Sequence, residues 1–410
     1  MFQHFLKPIK KFRKTYLPGI VTGSADDDPS AISTYSVVGA TTGFSQLWLL
    51  LVSTPLVIAI QNMSAKIGDV TKKGLIRLIK DNFGRSPAIV CVIALVVANL
   101  LTLLADIVGM AAGFQLITGE SYVFFIIPLI IFVWYIVVFD SYKKIARYFF
   151  WFSGILIAYI IAGIMARPDW FLILKSFFAP KISFNLSYIF AGLALLGTTF
   201  SPYAFFWQTE EEIEENHNSS PKQIRQTNRS VSFGFIYSNL IAFFIIVASA
   251  SAALNNNINF LTIKDIANAL TPFTGSWATT LFGIGLIGSG MLAIPILASS
   301  SAYAIAELLK WPCGLDKKPS RAKGFYGIIS FGFILCIAAL IFNLHPIKIM
   351  FFSQVIVGIL TSLVIYFILR IAGSKKIMGE WRSHWLSLLA GWLTIALILS
   401  GSIFFICYLF

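Results

Sequence analysis

Three consecutive aspartates, Asp26, Asp27 and Asp28, lie inside an apolar run from about residue 16 to 40, with Pro29 directly after them. An ionised carboxylate at the centre of a spanning helix costs about 2.5–3.5 kcal/mol or more on insertion scales. Adjacent carboxylates also repel one another. A bound cation offsets both penalties. The Lys and Arg residues map to loops and span ends, so no internal basic partner is expected for the aspartates. Cation binding is therefore the chemistry these residues point to, centred on Asp28 beside the proline. Consecutive side chains diverge, so Asp26 or Asp27 is expected to face a vestibule instead. A second interrupted run, Gly197-Thr198-Thr199-Phe200-Ser201-Pro202, supplies the hydroxyls of Thr198 and Ser201. With Ser30 and the carbonyls freed at each break, the donor set is all oxygen, which suits Mg²⁺, Ca²⁺ or Mn²⁺ over thiophilic ions. Mg²⁺ keeps several of its waters, so the ion is expected to bind largely hydrated.

The elements that must hold these residues follow from composition. Of 410 residues, 57% are hydrophobic and 12% charged, with 38 Phe; mean hydropathy is +0.81. Soluble domains carry about 25% charged residues, so a soluble enzyme and a disordered chain are both excluded. The sequence predicts an all-α polytopic membrane protein with eleven spans. They fall near 16–40, 45–65, 87–117, 122–140, 148–166, 187–209, 230–253, 276–306, 325–343, 349–369 and 385–409. With the N-terminus in the cytoplasm, 26 of the 31 Lys and Arg fall on the inside and only Arg167, Lys175, Lys181, Lys264 and Lys348 outside. By the positive-inside rule this places the N-terminus in the cytoplasm and the C-terminus outside, in a plasma-membrane protein. The basic excess is thus topology and not a nucleic-acid surface. Cys91, Cys313, Cys336 and Cys407 are scattered without metal-ligand spacing, and no disulfide is expected.

Spans 1 and 6 are broken in the same way, with Gly and small hydroxyl residues ahead of a mid-span proline. Irregular backbone survives in the bilayer only where it lines a cavity or is buried in protein. Breaks five spans apart predict two inverted five-span repeats, 16–166 and 187–369, with 385–409 as an added helix. One transporter domain then fills residues 1–410, its site near the midplane between the breaks.

The aspartate-proline segment with the second break at Ser201-Pro202 resembles the Nramp family of divalent-metal transporters. Ala105-Asp106 in span 3, Ser238-Asn239 in span 7 and Ser353-Gln354 in span 10 are also similar to Nramp segments. The resemblance implies the leucine-transporter fold and alternating access. It implies Asp28 as the metal anchor, and places Ala31 where the family has an asparagine ligand and Ser201 where it has a methionine. Gln354 matches a glutamine that approaches the ion in some states. Losing the soft sulfur is similar to the Nramp-related magnesium transporters, so Mg²⁺ is expected first and Mn²⁺ second. Of the family's acidic span 3 residues only Asp106 remains, and Tyr203 and Gln208 stand at the histidine positions of span 6. Asp106 is either a proton carrier or a structural hydrogen-bond acceptor. Uncoupled, potential-driven uptake is the expectation; the alternatives are a proton-coupled Mn²⁺/Fe²⁺ transporter and an organic-solute carrier for amines or amino acids. No nucleotide-binding motif points to a pump or an enzyme. No cofactor beyond the transported ion, and no partner beyond that ion and the lipid bilayer, is expected.

Weaker signals complete the picture. Glu210, Glu211, Glu212, Glu214 and Glu215 crowd the end of span 6, as a solvated helix end, or as a cation-attracting exit or sensor. Leu75, Ile76, Leu78 and Ile79 form an apolar stripe among basic residues, as expected of a helix on the inner leaflet. Asp140 and Glu307 are expected to pair with Lys143 and Lys310. His4, His217, His345 and His384 are too dispersed for a metal cluster.

Overall fold

The computed structural model describes residues 15–139, 153–215, 219–256, 264, 265, 267, 278–339 and 345–409. Asp140, Lys143, His4 and His217 lie outside them. The described chain is helical, with no strand among these residues. Helix α1 covers 15–25, α2 Pro29–Thr42, α3 Leu47–Thr71, α4 Leu75–Phe83, α5 Arg85–Thr118 and α6 Val123–Phe139. Then come α7 Ile157–Met165, α8 Trp170–Phe178, α9 Leu186–Thr199, α10 Pro202–Glu214 and α11 Pro221–Asn256. The chain ends in α12 Ala278–Leu309, α13 Lys323–Ala339, α14 Pro346–Ala372 and α15 Trp385–Leu409.

Seven stretches among the described residues are long and apolar enough to cross a bilayer: α3, α5, α9 with α10, α11, α12, α14 and α15. Helices α6 and α13 are apolar but 17 residues long. The expected external loop after residue 166 holds a helix, α8, bent by 105° from the helical stretch that ends in α7. Asp169 starts it by accepting a hydrogen bond from the Leu172 N–H at 3.0 Å, the ordinary cap for a first-turn donor. Much of the outer surface is apolar. Phe124, Ile131, Phe132, Tyr135 and Phe139 on α6 are all more than half exposed, as suits a surface that meets lipid.

Both breaks are present. Residues 26–28 leave helical geometry between α1 and α2, and Phe200 and Ser201 do so between α9 and α10. Pro29 and Pro202 each occupy the first turn of the following helix, where proline's missing N–H and fixed φ are tolerated. They start new helices and do not kink old ones. Helix α1 docks on α11 through its glycines: a Cβ at Gly19 or Gly23 would overlap the Ser230 or Gly234 carbonyl. The Gly19 N–H donates to Ser230 Oγ at 3.0 Å.

The loops expected on one side of the membrane do meet at one end of the molecule, here termed the α4 end. Ser219 donates to the Asp69 carbonyl, the Leu315 N–H to Glu214, and Lys80 to the Leu308 carbonyl at 2.7 Å. Helix α4 departs from expectation. Leu75, Ile76, Leu78 and Ile79 are at most 3% exposed because the helix packs on α5, α12 and α14, so its apolar stripe faces protein and not lipid.

Helix α9 presses Gly197 against α14 so closely that a Cβ would overlap the Gln354 carbonyl oxygen. Gly197→Ala is expected to destabilise the protein by about 1–3 kcal/mol, the usual cost of overpacking. Gly327→Ala, where nothing lies within 4 Å, is expected to be neutral. Thermal unfolding of the two variants in detergent checks the contrast.

Candidate metal site

The three aspartates are themselves the break of the first span. Asp26, Asp27 and Asp28 are 2%, 0% and 2% exposed, and Asp106 on α5 is 0% exposed. Asp28 is the N-cap of α2: its Oδ1 accepts from the Ala31 N–H at 2.7 Å. Ser30, the next donor in that turn, gives its N–H to Asp106 Oδ1 at 3.1 Å and its hydroxyl to the same oxygen at 2.6 Å. Two carboxylates thus take orphan N–H groups of one helix start, where the helix dipole favours negative charge. This couples Asp28 to Asp106 through a single turn of backbone.

The other oxygens point different ways. Asp27 Oδ1 accepts from Ser238 of α11 at 3.1 Å, while Asp26 faces Ser201. Asp26 Oδ1, Asp27 Oδ2 and Asp106 Oδ2 are buried without a hydrogen-bond partner. The ion pairs among the described residues are Lys72–Asp69 and Lys73–Asp81, so neither Lys nor Arg neutralises the four acids there. Nor do three His, Cys, Asp or Glu side chains among the described residues converge as a ready ligand cluster. The arrangement offers one carboxylate at the break, hydroxyls and carbonyls nearby, and unsatisfied charge close behind.

Thr198 and Ser201 lie in the second break as expected. The Ser201 hydroxyl donates to the Thr198 carbonyl at 3.0 Å and Thr198 to the Leu195 carbonyl at 2.9 Å. Ala31 contributes its backbone N–H. Gln354 is buried at 1% exposure, its backbone jammed against Gly197.

Tyr203 was not expected as a contact to Asp28. Its hydroxyl is shared between the Ala25 carbonyl at 2.9 Å and Asp28 Oδ2 at 3.2 Å, so it bridges the two broken spans. Its position directly after Pro202 was the available signal. Tyr203→Phe frees one carboxylate oxygen and one carbonyl for an ion. A net hydrogen bond of about 1 kcal/mol corresponds to roughly a fivefold effect. The expected result is an apparent KM for divalent-cation uptake lowered severalfold, read from initial uptake rates across a concentration series.

Two cavities flank the break without reaching it. One of about 430 Å³ at the α4 end is lined by Gly19, Gln208, Glu212, Glu215 and Ser230. Another of about 440 Å³ at the opposite end is lined by Gln115, Gly119, Tyr122, Lys264 and His345. Neither lining includes Asp26, Asp27 or Asp28, and the aspartates are shut off from both faces.

Of the glutamates past the second break only Glu215 is exposed and Glu214 is half-buried; the other three are not a solvated helix end. Glu210, Glu211 and Glu212 are each 5% exposed, because α10 ends between α3 and α12. Glu307 does not pair with Lys310. Its Oε2 accepts the Ile76 and Arg77 N–H groups at 3.2 and 3.3 Å, which places it at the N-terminus of α4.

Known proteins share this architecture along nearly the whole chain. The Aeromonas hydrophila protein named divalent metal cation transporter MntH is 24% identical over 402 residues, 96% of this chain and 95% of its own. The protein of the same name from Caldanaerobacter subterraneus subsp. tengcongensis is 25% identical, covering 97% and 94%. Among solved structures, the Eremococcus coleocola manganese transporter in complex with an aromatic bis-isothiourea substituted compound superposes with a TM-score of 0.78 at 17% identity. It covers 97% of this chain and 87% of that one. MhsT in complex with L-phenylalanine gives a TM-score of 0.62 at 16% identity over 94% of this chain and 98% of that one; these two likenesses establish the fold. The family described as natural resistance-associated macrophage protein-like matches residues 19–408, and the chain belongs to this Nramp family.

Proposed function

We propose that this chain imports partly hydrated divalent cations, Mg²⁺ first and Mn²⁺ second, by alternating access, driven by the membrane potential without a coupled proton. The observation that carries the reading is a break made of three buried aspartates, two of them with an orphan oxygen, and no basic partner among the described residues. Membership of a family whose relatives are named divalent metal cation transporters supports the cation as cargo. Asp28 anchors the ion directly or through water; Thr198, Ser201 and the carbonyls of the two breaks complete the shell. Asp27, Ala31 and Gln354 line or approach it. Ser201 contributes oxygen where the family has sulfur, and that favours hard ions.

Eleven crossings are proposed by adding α1–α2, α6, α7 and α13 to the seven long stretches, in two inverted repeats with α15 outside them. The α4 end, rich in Lys and Arg, is assigned to the cytoplasm of a plasma-membrane protein. A divalent ion moving down 100 mV gains about 4.6 kcal/mol, enough for roughly thousandfold accumulation without a proton. One observation favours a second reading, proton-coupled Mn²⁺/Fe²⁺ uptake: the Asp106 carboxyl sits one helical turn of hydrogen bonds from Asp28 and keeps an oxygen unpartnered.

Purified protein in liposomes under an imposed potential separates the two. Interior Mg²⁺ and pH dyes are read together, with Mn²⁺, Ca²⁺ and Cd²⁺ as competitors. Uptake that follows the potential with no matching acidification is expected. Proton influx that tracks metal influx would overturn the uncoupled mechanism, and potent Cd²⁺ competition would overturn the hard-ion preference.

A further inference from the structure

At the α4 end, Glu211, Glu212 and Glu214 are accounted for by hydrogen bonds. Glu211 Oε2 accepts from Thr22 of α1 at 3.0 Å, and Glu212 Oε1 from Gln208 at 3.0 Å. Glu214 accepts from the Tyr303 hydroxyl and, at 3.2 Å, from the Leu315 N–H. Glu210 differs. It is 5% exposed, and its Oε1 is buried without a partner.

That oxygen is aimed at Glu307. A Cβ added to Gly74 would overlap both Glu210 Oε1 and Glu307 Oε1, so the two lie within about 4 Å of each other, a spacing at which like charges cannot both stand uncompensated. The opposite oxygen of Glu307 is pinned by the first-turn N–H groups of α4, which fixes the direction of the carboxylate. The next charged neighbour of Glu210 is Glu214, again negative. Arg77 lies near Glu307 on α4, but its side chain is solvent-exposed and is in neither of the ion pairs found. Two carboxylate oxygens within about 4 Å of each other can be bridged by a hard divalent ion with metal–oxygen bonds of roughly 2.1–2.4 Å. Glycine at position 74 keeps that space free of a side chain.

We propose that Glu210 and Glu307 form a second divalent-cation site, separate from the aspartate break, that ties α10 to α12 and to the N-terminus of α4. Glu210 supplies the free carboxylate and Glu307 the oriented one, and waters fill the remaining positions. The site sits on the face assigned to the cytoplasm, where an imported ion would be released. Binding there does not depend on Asp28 or on transport.

The test counts Mn²⁺ bound to the full-length protein in nanodiscs by electron paramagnetic resonance. Two ions per chain are expected for the wild type and one for Glu210→Gln, a variant that removes charge but no hydrogen bond from Glu210 Oε1. Gly74→Ala, which fills the space between the carboxylates, is expected to lose the same ion. Asp28→Asn should retain it, so loss of the break site and loss of this one are read separately. Hydrogen exchange gives an independent readout: Mg²⁺ should slow exchange in the first turn of α4 in the wild type and not in Glu210→Gln. Wild-type stoichiometry in a folded Glu210→Gln protein, or a pair that merely shares a proton and takes up no second Mn²⁺, overturns the assignment.

Discussion

Asp28→Asn is expected to lower divalent-cation uptake at least a hundredfold while the protein still folds. Asparagine is as good an N-cap as aspartate, so the hydrogen bond from Ala31 to the capping oxygen is retained. The amide can also still meet the Tyr203 hydroxyl. What disappears is the charge. At an effective dielectric of about 20, a carboxylate and a divalent ion roughly 4 Å apart attract by about 8 kcal/mol. Even a third of that is about a hundredfold in binding. The neighbouring aspartates do not replace it at the start of α2, because Asp27 is turned to Ser238 and, of the three, Asp28 alone caps that helix. Initial uptake rates in liposomes, alongside size-exclusion behaviour and thermal unfolding, check both halves of the expectation. A well-folded Asp28→Asn protein that keeps more than a tenth of wild-type uptake would remove Asp28 as the anchor.

The origin of this site was legible in the chain to an uneven degree. The breaks were legible because Pro29 and Pro202 follow small and polar residues, a local combination that needs no distant partner; proline alone does not suffice, since Pro55, Pro128 and Pro295 lie inside continuous helices. The intramembrane place of Asp26, Asp27 and Asp28 followed from their apolar flanks, but the vestibule expected at Asp26 or Asp27 is not there: both are buried. Their hydrogen bonds did not follow, because Tyr203 and Ser238 lie 175 and 211 residues from the Asp28 and Asp27 carboxylates they touch, and Asp106 lies 76 residues from the Ser30 it accepts from. No local pattern encodes such pairs. The apolar stripe of α4 was visible, but a stripe of Leu and Ile looks the same whether lipid or α5 and α12 cover it. Similarly, five glutamates at a helix end resemble a solvated terminus until tertiary packing encloses Glu210, Glu211 and Glu212. Glu307 misled for the same reason. Its nearest basic neighbour in sequence is Lys310, yet the donors that satisfy it are backbone N–H groups some 230 residues away.

Ser201→Met is expected to move the selectivity of the site toward soft ions, with Cd²⁺ inhibiting Mg²⁺ uptake at concentrations at least tenfold lower than in the wild type. Ser201 holds the N-cap position of α10 but makes no side-chain capping bond; its hydroxyl is spent on the Thr198 carbonyl. Replacing it therefore removes no helix cap, and the carbonyl it leaves behind is one more oxygen at the break. The thioether adds a polarisable donor a few ångströms from the aspartates. Softness of ligand, more than raw affinity, separates Cd²⁺ and Mn²⁺ from Mg²⁺. Mg²⁺ uptake itself should fall severalfold, because the larger side chain displaces water that a hydrated ion would keep. Competition curves for Cd²⁺, Mn²⁺ and Ca²⁺ against Mg²⁺ uptake distinguish this from simple damage, which would lower every rate without reordering the ions. An unchanged Cd²⁺ midpoint in an active Ser201→Met protein would mean that position 201 does not line the ion's path. The proposed preference for hard ions would then lose the ligand on which it rests.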